Sequence, residues 1–276
     1  ILCIAYRATE IQPHRATLLL LPVLSGSASA WFVYEKELEK EINLVAPDLR
    51  GHGLSKRWDT PEAYAFSEFA NDIGALLAFL DLKEVTIVAH SFAAVIVREL
   101  AKQRHIPITS VVLLAPAYEV RRLLLATLAT PILAFLSWVI RFVEAPARGG
   151  RVDYRSFVGY GDWNIRRIRA DVGTTGIHAY LWSLLALYRY PNGPWRELSD
   201  ARTLIVHGRA DRFVPFSHSV ELARLLPKSR LTLLETNHML VLNNVHEVMA
   251  LVRSFMGSDA NGDSVRPDSH NTKTGQ

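Results

Sequence analysis

Cysteine is nearly absent from this sequence, which has Cys3 alone among 276 residues. An intrachain disulfide is therefore excluded, and no Cys/His cluster has the spacing of zinc ligands. A lone thiol fits a reducing compartment, so we expect a cytoplasmic protein. The chain starts without Met or a basic leader-like segment, and Leu2 to Tyr6 resemble the interior of a strand. We therefore expect that a leading segment is missing.

A strong charge of either sign is also lacking, with 31 Lys and Arg against 27 Asp and Glu. No Lys/Arg run with interleaved aromatic residues is present, which argues against nucleic-acid binding. The basic excess is local, because residues 118–197 contain eleven Arg, no Lys and six acidic residues. Such a face suits an acidic partner, an anionic lipid surface or an anionic substrate. A solvated face with local ion pairs explains it equally well.

Apolar residues make up 49% of the chain, enough for one large core or for a core with a smaller inserted subdomain. Short apolar runs without polar alternation are typical of strands buried on both faces of a parallel sheet. Six such runs cover residues 18–21, 42–46, 85–89, 111–114, 203–206 and 231–234. Amphipathic helical patterns lie between them, over 67–80, 92–103, 217–226 and 245–255, with Ser67 as the expected N-cap of the first. This alternation predicts an α/β fold with a mainly parallel central sheet flanked by helices.

The alternation stops between residues 117 and 199, where two strongly apolar helical segments replace it. We expect an α/β core over 1–116 and 200–256, with a helical cap or lid inserted over 117–199. Residues 257–276 contain mainly Gly, Ser, Asp, Asn and Thr, so we expect a disordered tail there.

Ser91 lies where a buried strand pattern passes directly into a helix pattern. A tight strand-to-helix turn lifts a serine hydroxyl above the sheet, and it requires small residues two positions before and after the serine. Ala89 and Ala93 meet that requirement. Strand alternation directs the His90 side chain away from Ser91, so we do not assign it to the site. By itself, the pattern is also that of a serine that caps a helix.

Asp211 and His238 each follow a later buried run, as Ser91 does. The carboxyl ends of parallel strands share one edge of the sheet, so we expect the three side chains to meet there. A serine hydroxyl needs a base to take its proton, and the base needs a carboxylate to hold its tautomer. Glu235 is a weaker candidate for the acid, because it is too close in sequence to His238.

The order Ser91, Asp211, His238 resembles that of the α/β-hydrolase superfamily, in particular its serine esterase and lipase-like branch with a helical cap. The segment from Pro47 to Ser55, PDLRGHGLS, is similar to the strand-and-turn signature of its esterases. The resemblance covers about residues 2–255. It implies that Ser91 is the nucleophile, His238 the general base and Asp211 the acid that orients it. It implies neither a metal nor an organic cofactor.

The segment from Leu18 to Trp31 is similar to the strand and loop that bear the oxyanion hole in that family. By position, the backbone N–H groups of Leu24 and Phe92 would hold the oxyanion. Pro22-Val23 replaces the usual His-Gly, which restricts the backbone of this loop. The elbow also carries alanines where glycines are usual. A non-catalytic, ligand-binding member of the fold is therefore an open alternative.

The expected cap is apolar in spite of its arginines, because residues 123–140 carry no charge and a second helix is expected over 177–190. Pro131 argues against a membrane span there, and a span would separate Ser91 from Asp211. We expect a lid over an apolar pocket, with peripheral membrane contact through the cap as an alternative. The aromatic residues expected to contribute to that pocket are Phe135, Trp138, Phe142, Phe157 and Trp163.

These inferences predict a serine hydrolase that cleaves a carboxylic ester of a small apolar substrate through an acyl-Ser91 intermediate. Thioester, lactone and carbon–carbon bond substrates stay open, because the same three groups serve each of them. Dehalogenases and epoxide hydrolases of this fold have Asp at the elbow, so the serine argues against both. The oligomeric state is left open by the sequence.

Overall fold

The computed structural model describes residues 3–103, 108, 110–143 and 147–257. Its centre is a seven-stranded sheet in the order β1-β3-β2-β4-β5-β6-β7. The strands are β1 (Tyr6–Ala8), β2 (Thr17–Leu21), β3 (Asn43–Pro47), β4 (Thr86–His90), β5 (Ser110–Leu114), β6 (Arg202–Gly208) and β7 (Ser229–Leu234). Only the β1–β3 pair is antiparallel among these strand pairs, so the predicted, mainly parallel α/β fold is confirmed.

Each of the six apolar runs forms one of the strands β2 to β7, within two residues at either end. Successive side chains of a strand point to opposite faces, and two buried clusters accordingly cover the two faces of the sheet. Leu19 and Ile87 belong to one cluster, and Leu20 and Val88 belong to the other. The strand-like segment expected over Leu2 to Tyr6 overlaps β1 at Tyr6 alone, and the rest of β1 carried no apolar pattern because it includes Arg7 and is only partly buried at the sheet edge.

The core helices are α1 (Phe32–Leu38), α2 (Phe66–Phe79), α3 (Phe92–Lys102), α7 (Phe216–Leu225), α8 (Leu240–Asn243) and α9 (Val245–Gly257). The prediction of Ser67 as the N-cap of α2 is wrong. The N-cap is Ala65, two residues earlier, and it makes no side-chain hydrogen bond. Burial of Phe66 explains the early start, since its ring packs against that of Phe92 with the centroids 4.8 Å apart.

Between β5 and β6, the described residues form three α-helices and three short 3-10 helices and no strand. The α-helices are α4 (Leu124–Ile140), α5 (Ile165–Thr175) and α6 (Ile177–Arg189). The two expected apolar helices correspond to α4 and α6. Residues 117–199 are called the cap, and their division from the core stays a prediction. A disordered tail is expected over residues 257–276, and residues 258–276 lie outside the described part of the chain.

The helix α4 packs along α6 through its inner side. The indole N–H of Trp182 donates to the carbonyl of Ser137 at 3.4 Å, and Nε2 of His178 donates to the carbonyl of Ile140 at 2.8 Å. In the described parts of the chain, no helix has both the length and the apolar character needed to cross a membrane.

Candidate active site

Ser91 forms a sharp turn between β4 and α3, with φ 52° and ψ −108°. A non-glycine residue in such a conformation costs about 1–3 kcal/mol, so the surroundings must hold it. Its N–H donates to the carbonyl of Leu114 at 2.8 Å. Its own carbonyl accepts the N–H groups of Ala94 and Ala117 at 3.0 and 3.1 Å. The strand β5 and the first turn of α3 therefore fix the elbow from both sides.

The residues next to Ser91 are fully enclosed. Ala89 and Ala93 have no exposed surface, which agrees with the need for small side chains where strand and helix converge. His90 was set aside on the sequence, yet its Nε2–H donates to the carbonyl of His238 at 2.9 Å. The two imidazole rings lie 5.2 Å apart. Burial lowers the pKa of His90 to about 3, so this ring is neutral and supports His238 from behind.

Asp211 and His238 are joined directly. Nδ1 of His238 donates to Oδ2 of Asp211 at 2.6 Å. The other carboxylate oxygen accepts the backbone N–H groups of Phe213 and Val214 at 2.8 and 2.9 Å. Since Asp211 fixes the Nδ1–H tautomer, Nε2 of His238 is left as the ring nitrogen able to accept a proton.

His207 also contacts the Asp211 carboxylate, with Nε2 at 3.0 Å from Oδ2. Its other ring nitrogen accepts the hydroxyl of Ser219 at 2.6 Å, so His207 presents its Nε2–H to the carboxylate. Burial alone would raise the pKa of Asp211, but the hydrogen bonds from His207 and His238 outweigh it and hold the pKa below its usual range. The carboxylate is therefore ionised at neutral pH. Sequence reasoning missed this role of His207, although a histidine inside a buried strand must find a partner.

Asp162 of the cap bridges the two loops that carry Asp211 and His238. One carboxylate oxygen accepts the backbone N–H of His238 at 2.9 Å, and the other accepts that of Arg212 at 3.0 Å. Its carbonyl accepts a guanidinium N–H of Arg167 at 2.9 Å. Only 3% of Asp162 is exposed. No sequence motif marked this residue, because its partners are the backbone N–H groups of Arg212 and His238, which lie 50 and 76 residues away in the sequence.

A buried polar network continues from Asp162 into the cap. Arg167 donates to the carboxylate of Asp171 at 3.0 Å, and the hydroxyl of Tyr154 donates to the same carboxylate at 2.7 Å. Burial raises the pKa of Asp171 to about 6, against the opposing effect of these two partners. Arg167 and Asp171 both line the cavity above Ser91, where they and Arg212 are the charged residues of an otherwise mainly apolar wall.

A cavity of about 220 Å³ brings the predicted site residues together, since Ser91, His238, Leu24 and Phe92 all line it. Asp211 lies behind His238 and does not line the cavity. The cap contributes apolar side chains that include Leu125, Ala126, Trp163, Tyr180, Leu184 and Tyr188.

The expected aromatic lining of this cavity is largely wrong. Phe135, Trp138 and Phe142 are exposed by 62, 56 and 71%, because they lie on the side of α4 that faces away from α6. Phe157 packs in a separate small cluster, so Trp163 alone among the five predicted residues lines the cavity. Tyr180 and Tyr188, on the inner side of α6, take the place of the others.

The loop after β2 turns sharply beside Ser91. The N–H of Gly26 donates to the carbonyl of Val23 at 2.9 Å, and Ser25 has φ 60°, a conformation that usually requires glycine in such a turn. The N–H of Leu24 has no acceptor within the described residues. Phe92 is the first residue of α3, and the first N–H groups of a helix lack an intrahelical acceptor. Two free donors therefore border the same cavity in spite of Pro22-Val23.

Two further acidic residues of the core lie away from this cavity. Asp48 is fully buried and accepts the N–H groups of Ala28 and Leu54, as a structural turn residue does. The carboxylate of Glu235, the weaker candidate for the acid, is 84% exposed and pairs with Arg209.

Comparisons with known proteins agree with the architecture. A sequence model of the family described as alpha/beta hydrolase fold matches residues 16–245. An uncharacterized protein of Mycobacterium tuberculosis is 34% identical over 98 residues, which are 35% of this chain and 28% of that protein. A poly(3-hydroxyalkanoate) depolymerase of Ectopseudomonas oleovorans is 22% identical over 251 residues, 89% of this chain and 86% of the relative.

Solved structures are similar over nearly the whole chain. An esterase from Exiguobacterium antarcticum superimposes with a TM-score of 0.71 and 17% identity, over 92% of this chain and 95% of the esterase. At this identity, the likeness concerns the fold. The chain spans little more than a quarter of the mycobacterial relative, at 28% of its length.

Proposed function

The chain belongs to the alpha/beta hydrolase fold family, and on this premise we propose that it is a serine hydrolase that cleaves carboxylic esters of small apolar substrates. One observation carries the proposal: the 2.6 Å hydrogen bond between Asp211 and His238 lies beside the cavity that Ser91 lines. Folding alone does not require a strained serine, an imidazole and an ionised carboxylate to meet at one edge of the sheet.

In the proposed reaction, Oγ of Ser91 attacks the ester carbonyl while Nε2 of His238 takes the hydroxyl proton. Asp211 stabilises the imidazolium that forms, and its low pKa keeps it ionised for this purpose. His238 then gives the proton to the leaving alcohol. Water, activated by the same imidazole, releases the acid from the acyl-Ser91 intermediate.

In this mechanism, the N–H groups of Leu24 and Phe92 donate to the carbonyl oxygen and stabilise the negative charge that develops on it. Fixed donors of this kind contribute about 10²–10³-fold to the rate in serine hydrolases. Both amides are supplied by the backbone, so the side chains of Pro22 and Val23 do not take part in the reaction. The strained turn at Ser25 is then part of the arrangement that aims the Leu24 N–H at the cavity.

The cavity supports a small apolar substrate. Its volume of about 220 Å³ lies below the roughly 300–1,000 Å³ of pockets for drug-sized ligands. Leu125, Ala126 and Leu184 line it, and they favour an acyl chain or ring over a charged group.

Hydrolysis of p-nitrophenyl esters, from acetate to decanoate, tests the proposal. The wild type should release p-nitrophenol with a preference for an apolar acyl group of intermediate length, and Ser91→Ala should reduce the rate at least 10³-fold. Ser67→Ala is the matched control, because Ser67 is exposed on α2 and should leave the rate unchanged. A folded wild type without esterase activity, or equal rates in wild type and Ser91→Ala, would contradict the proposal.

A further inference from the structure

The outer side of α4 presents a large apolar surface to solvent. Eighteen large apolar side chains are exposed in the described residues, and ten of them lie within residues 124–143. Six of these follow one another at steps of three or four residues; the first five lie on one side of the helix, and Phe142 extends the row into the turn that follows it. This outer face of α4 consists of Leu124, Leu128, Ile132, Phe135, Val139 and Phe142.

The exposure of this face does not result from a detached helix. Ala126 and Ser137 on the inner side of α4 are 1 and 6% exposed. Hydrogen bonds from Trp182 and His178 of α6 hold its C-terminal half. A firmly packed helix of 17 residues, about 25 Å long, thus carries apolar side chains on both sides. Contiguous apolar patches of this kind mark interaction surfaces.

Arginines flank the outer face at its two ends. Arg121 precedes α4 and Arg141 follows it, and both are exposed. Three of the acidic residues described within 117–199 are buried, namely Glu119, Asp162 and Asp171, and the exposed Glu197 pairs with Arg98. Asp153 is exposed and pairs with Arg155. The exposed charged residues next to α4 in the described sequence are therefore the arginines Arg121, Arg122 and Arg141, of which Arg122 pairs with Glu221 of α7.

This charge distribution selects among the surfaces that could cover the outer face. A second copy that packed α4 antiparallel against α4 would bring Arg121 close to Arg141 of the other copy, which is unfavourable. Residues 258–276 contain a single large apolar residue, Val265, and cannot cover six. An anionic lipid surface offers acyl chains to the apolar side chains and phosphate groups to the arginines.

We propose that α4 is an interfacial helix that docks the protein on an anionic membrane surface. The outer face lies among the acyl chains, and Arg121 and Arg141 lie at the level of the phosphate groups. The helix lies in the plane of the surface and does not cross it, in keeping with its length and with Pro131 at its middle.

The docking face continues to the mouth of the cavity above Ser91. Leu125 and Trp163 are exposed by 63 and 56%, and both line that cavity. A protein docked through α4 therefore turns the cavity mouth toward the lipid. If the chain hydrolyses esters as proposed, apolar esters dissolved in the membrane reach Ser91 without crossing water; this consequence alone rests on the proposed function.

Co-sedimentation of the full chain with lipid vesicles tests the docking. We use vesicles of phosphatidylcholine with 30% phosphatidylglycerol, and vesicles of phosphatidylcholine alone. The variant Leu128→Glu with Phe135→Glu places two charges on the outer face and should weaken binding about 100-fold. The matched control is Phe79→Glu with Leu225→Glu, at exposed apolar positions outside the cap, which should bind like the wild type.

Two further variants separate charge from catalysis. Arg121→Gln with Arg141→Gln should weaken binding to the anionic vesicles about tenfold, and should change binding to neutral vesicles much less. Ser91→Ala should bind like the wild type, so a failure of the proposed hydrolase function leaves this experiment unaffected. Raising the salt from 0.1 to 0.5 M should mimic the arginine variant.

Three results would overturn the docking proposal. The first is a wild type that anionic vesicles do not retain, and the second is a control double variant that loses as much binding as the variant of the outer face. The third is a wild-type dimer in size-exclusion chromatography that becomes a monomer in Leu128→Glu with Phe135→Glu, without any vesicle binding. That result would assign the outer face to a second copy of the chain.

Discussion

The carboxylate of Asp162 accepts the backbone N–H of His238 at 2.9 Å, although Asp162 belongs to the cap and His238 to a loop of the core. The second oxygen of the same carboxylate accepts the N–H of Arg212, next to Asp211. A single side chain of the cap thus ties together the loops of the proposed base and acid. The cap therefore binds the loops of the proposed catalytic groups as well as lining the cavity above Ser91.

We predict that Asp162→Ala lowers kcat for a p-nitrophenyl ester about 10–100-fold and changes KM less than threefold, because a displacement of His238 affects the reaction more than substrate binding. Asp162→Asn should have a kcat between those of the wild type and Asp162→Ala, since an amide offers only one acceptor oxygen. Asp153→Ala is the control, an exposed acid of the cap whose loss should have no effect. A kcat within twofold of the wild type in Asp162→Ala would refute this role.

Asp211→Asn should lower kcat about 10⁴-fold with little change in the thermal midpoint, because an amide favours the wrong tautomer of His238. Glu235→Gln serves as the comparison, since its carboxylate is exposed and pairs with Arg209 outside the cavity. It should retain full activity. The reverse ranking of the two variants would make Glu235 the acid.

His90 and His52 should make the protein less stable in mild acid. Burial lowers their pKa values from 6.5 to about 3 and about 4, so both stay neutral in the folded protein while the unfolded chain binds protons below pH 6.5. Each histidine raises the free energy of unfolding with pH by up to about 1.4 kcal/mol per unit between about 4.5 and 6.5. Asp171, whose pKa burial raises to about 6, opposes one of them below pH 6, so the net rise is that of about one histidine there and levels off above pH 6.5.

Urea denaturation at several pH values measures this effect. His90→Gln keeps a side-chain donor for the carbonyl of His238 and removes one of the two titrating groups. Its slope below pH 6.5 should be smaller than that of the wild type by about one proton. An unchanged slope would show that His90 is not buried as a neutral ring.

Ala126→Phe should shorten the acyl chain that the cavity accepts. Ala126 is 1% exposed and lines the cavity from α4, so a larger side chain projects into the space above Ser91. We expect kcat/KM for octanoate to fall at least tenfold, while acetate hydrolysis changes less than threefold. A parallel loss for both esters would place the acyl group elsewhere.

The sequence was informative where burial is complete. The strands β2 to β6 are buried along nearly their whole length, so their apolar runs were recognisable, and the fold followed from their alternation with helices. The three residues of β1 carried no such signal. The positions of Ser91 and Asp211 were predictable for the same reason, because each follows one of these strands. His238 follows β7, which is only partly buried but whose apolar run Leu231–Leu234 still marked its end.

The missed features depend on the direction in which side chains point and on long-range backbone partners. Asp162 binds two N–H groups of distant loops, which no local pattern encodes. In α4, apolar residues occur on both sides of the helix, so the sequence could not distinguish Ala126 at the cavity from Phe135 at the surface. The contacts of His90 and His207 could have been anticipated from the rule that a polar group in a buried strand needs a partner.

The most direct test of the central claim is covalent labelling with a fluorophosphonate probe, followed by peptide mass spectrometry. Our account predicts a phosphonylated Ser91 in the wild type and in Ser67→Ala, no label in Ser91→Ala, and labelling slowed at least 100-fold in His238→Ala, which lacks the base. A folded wild type that stays unlabelled, or a label on another serine that persists in Ser91→Ala, would contradict the assignment of Ser91 as the nucleophile.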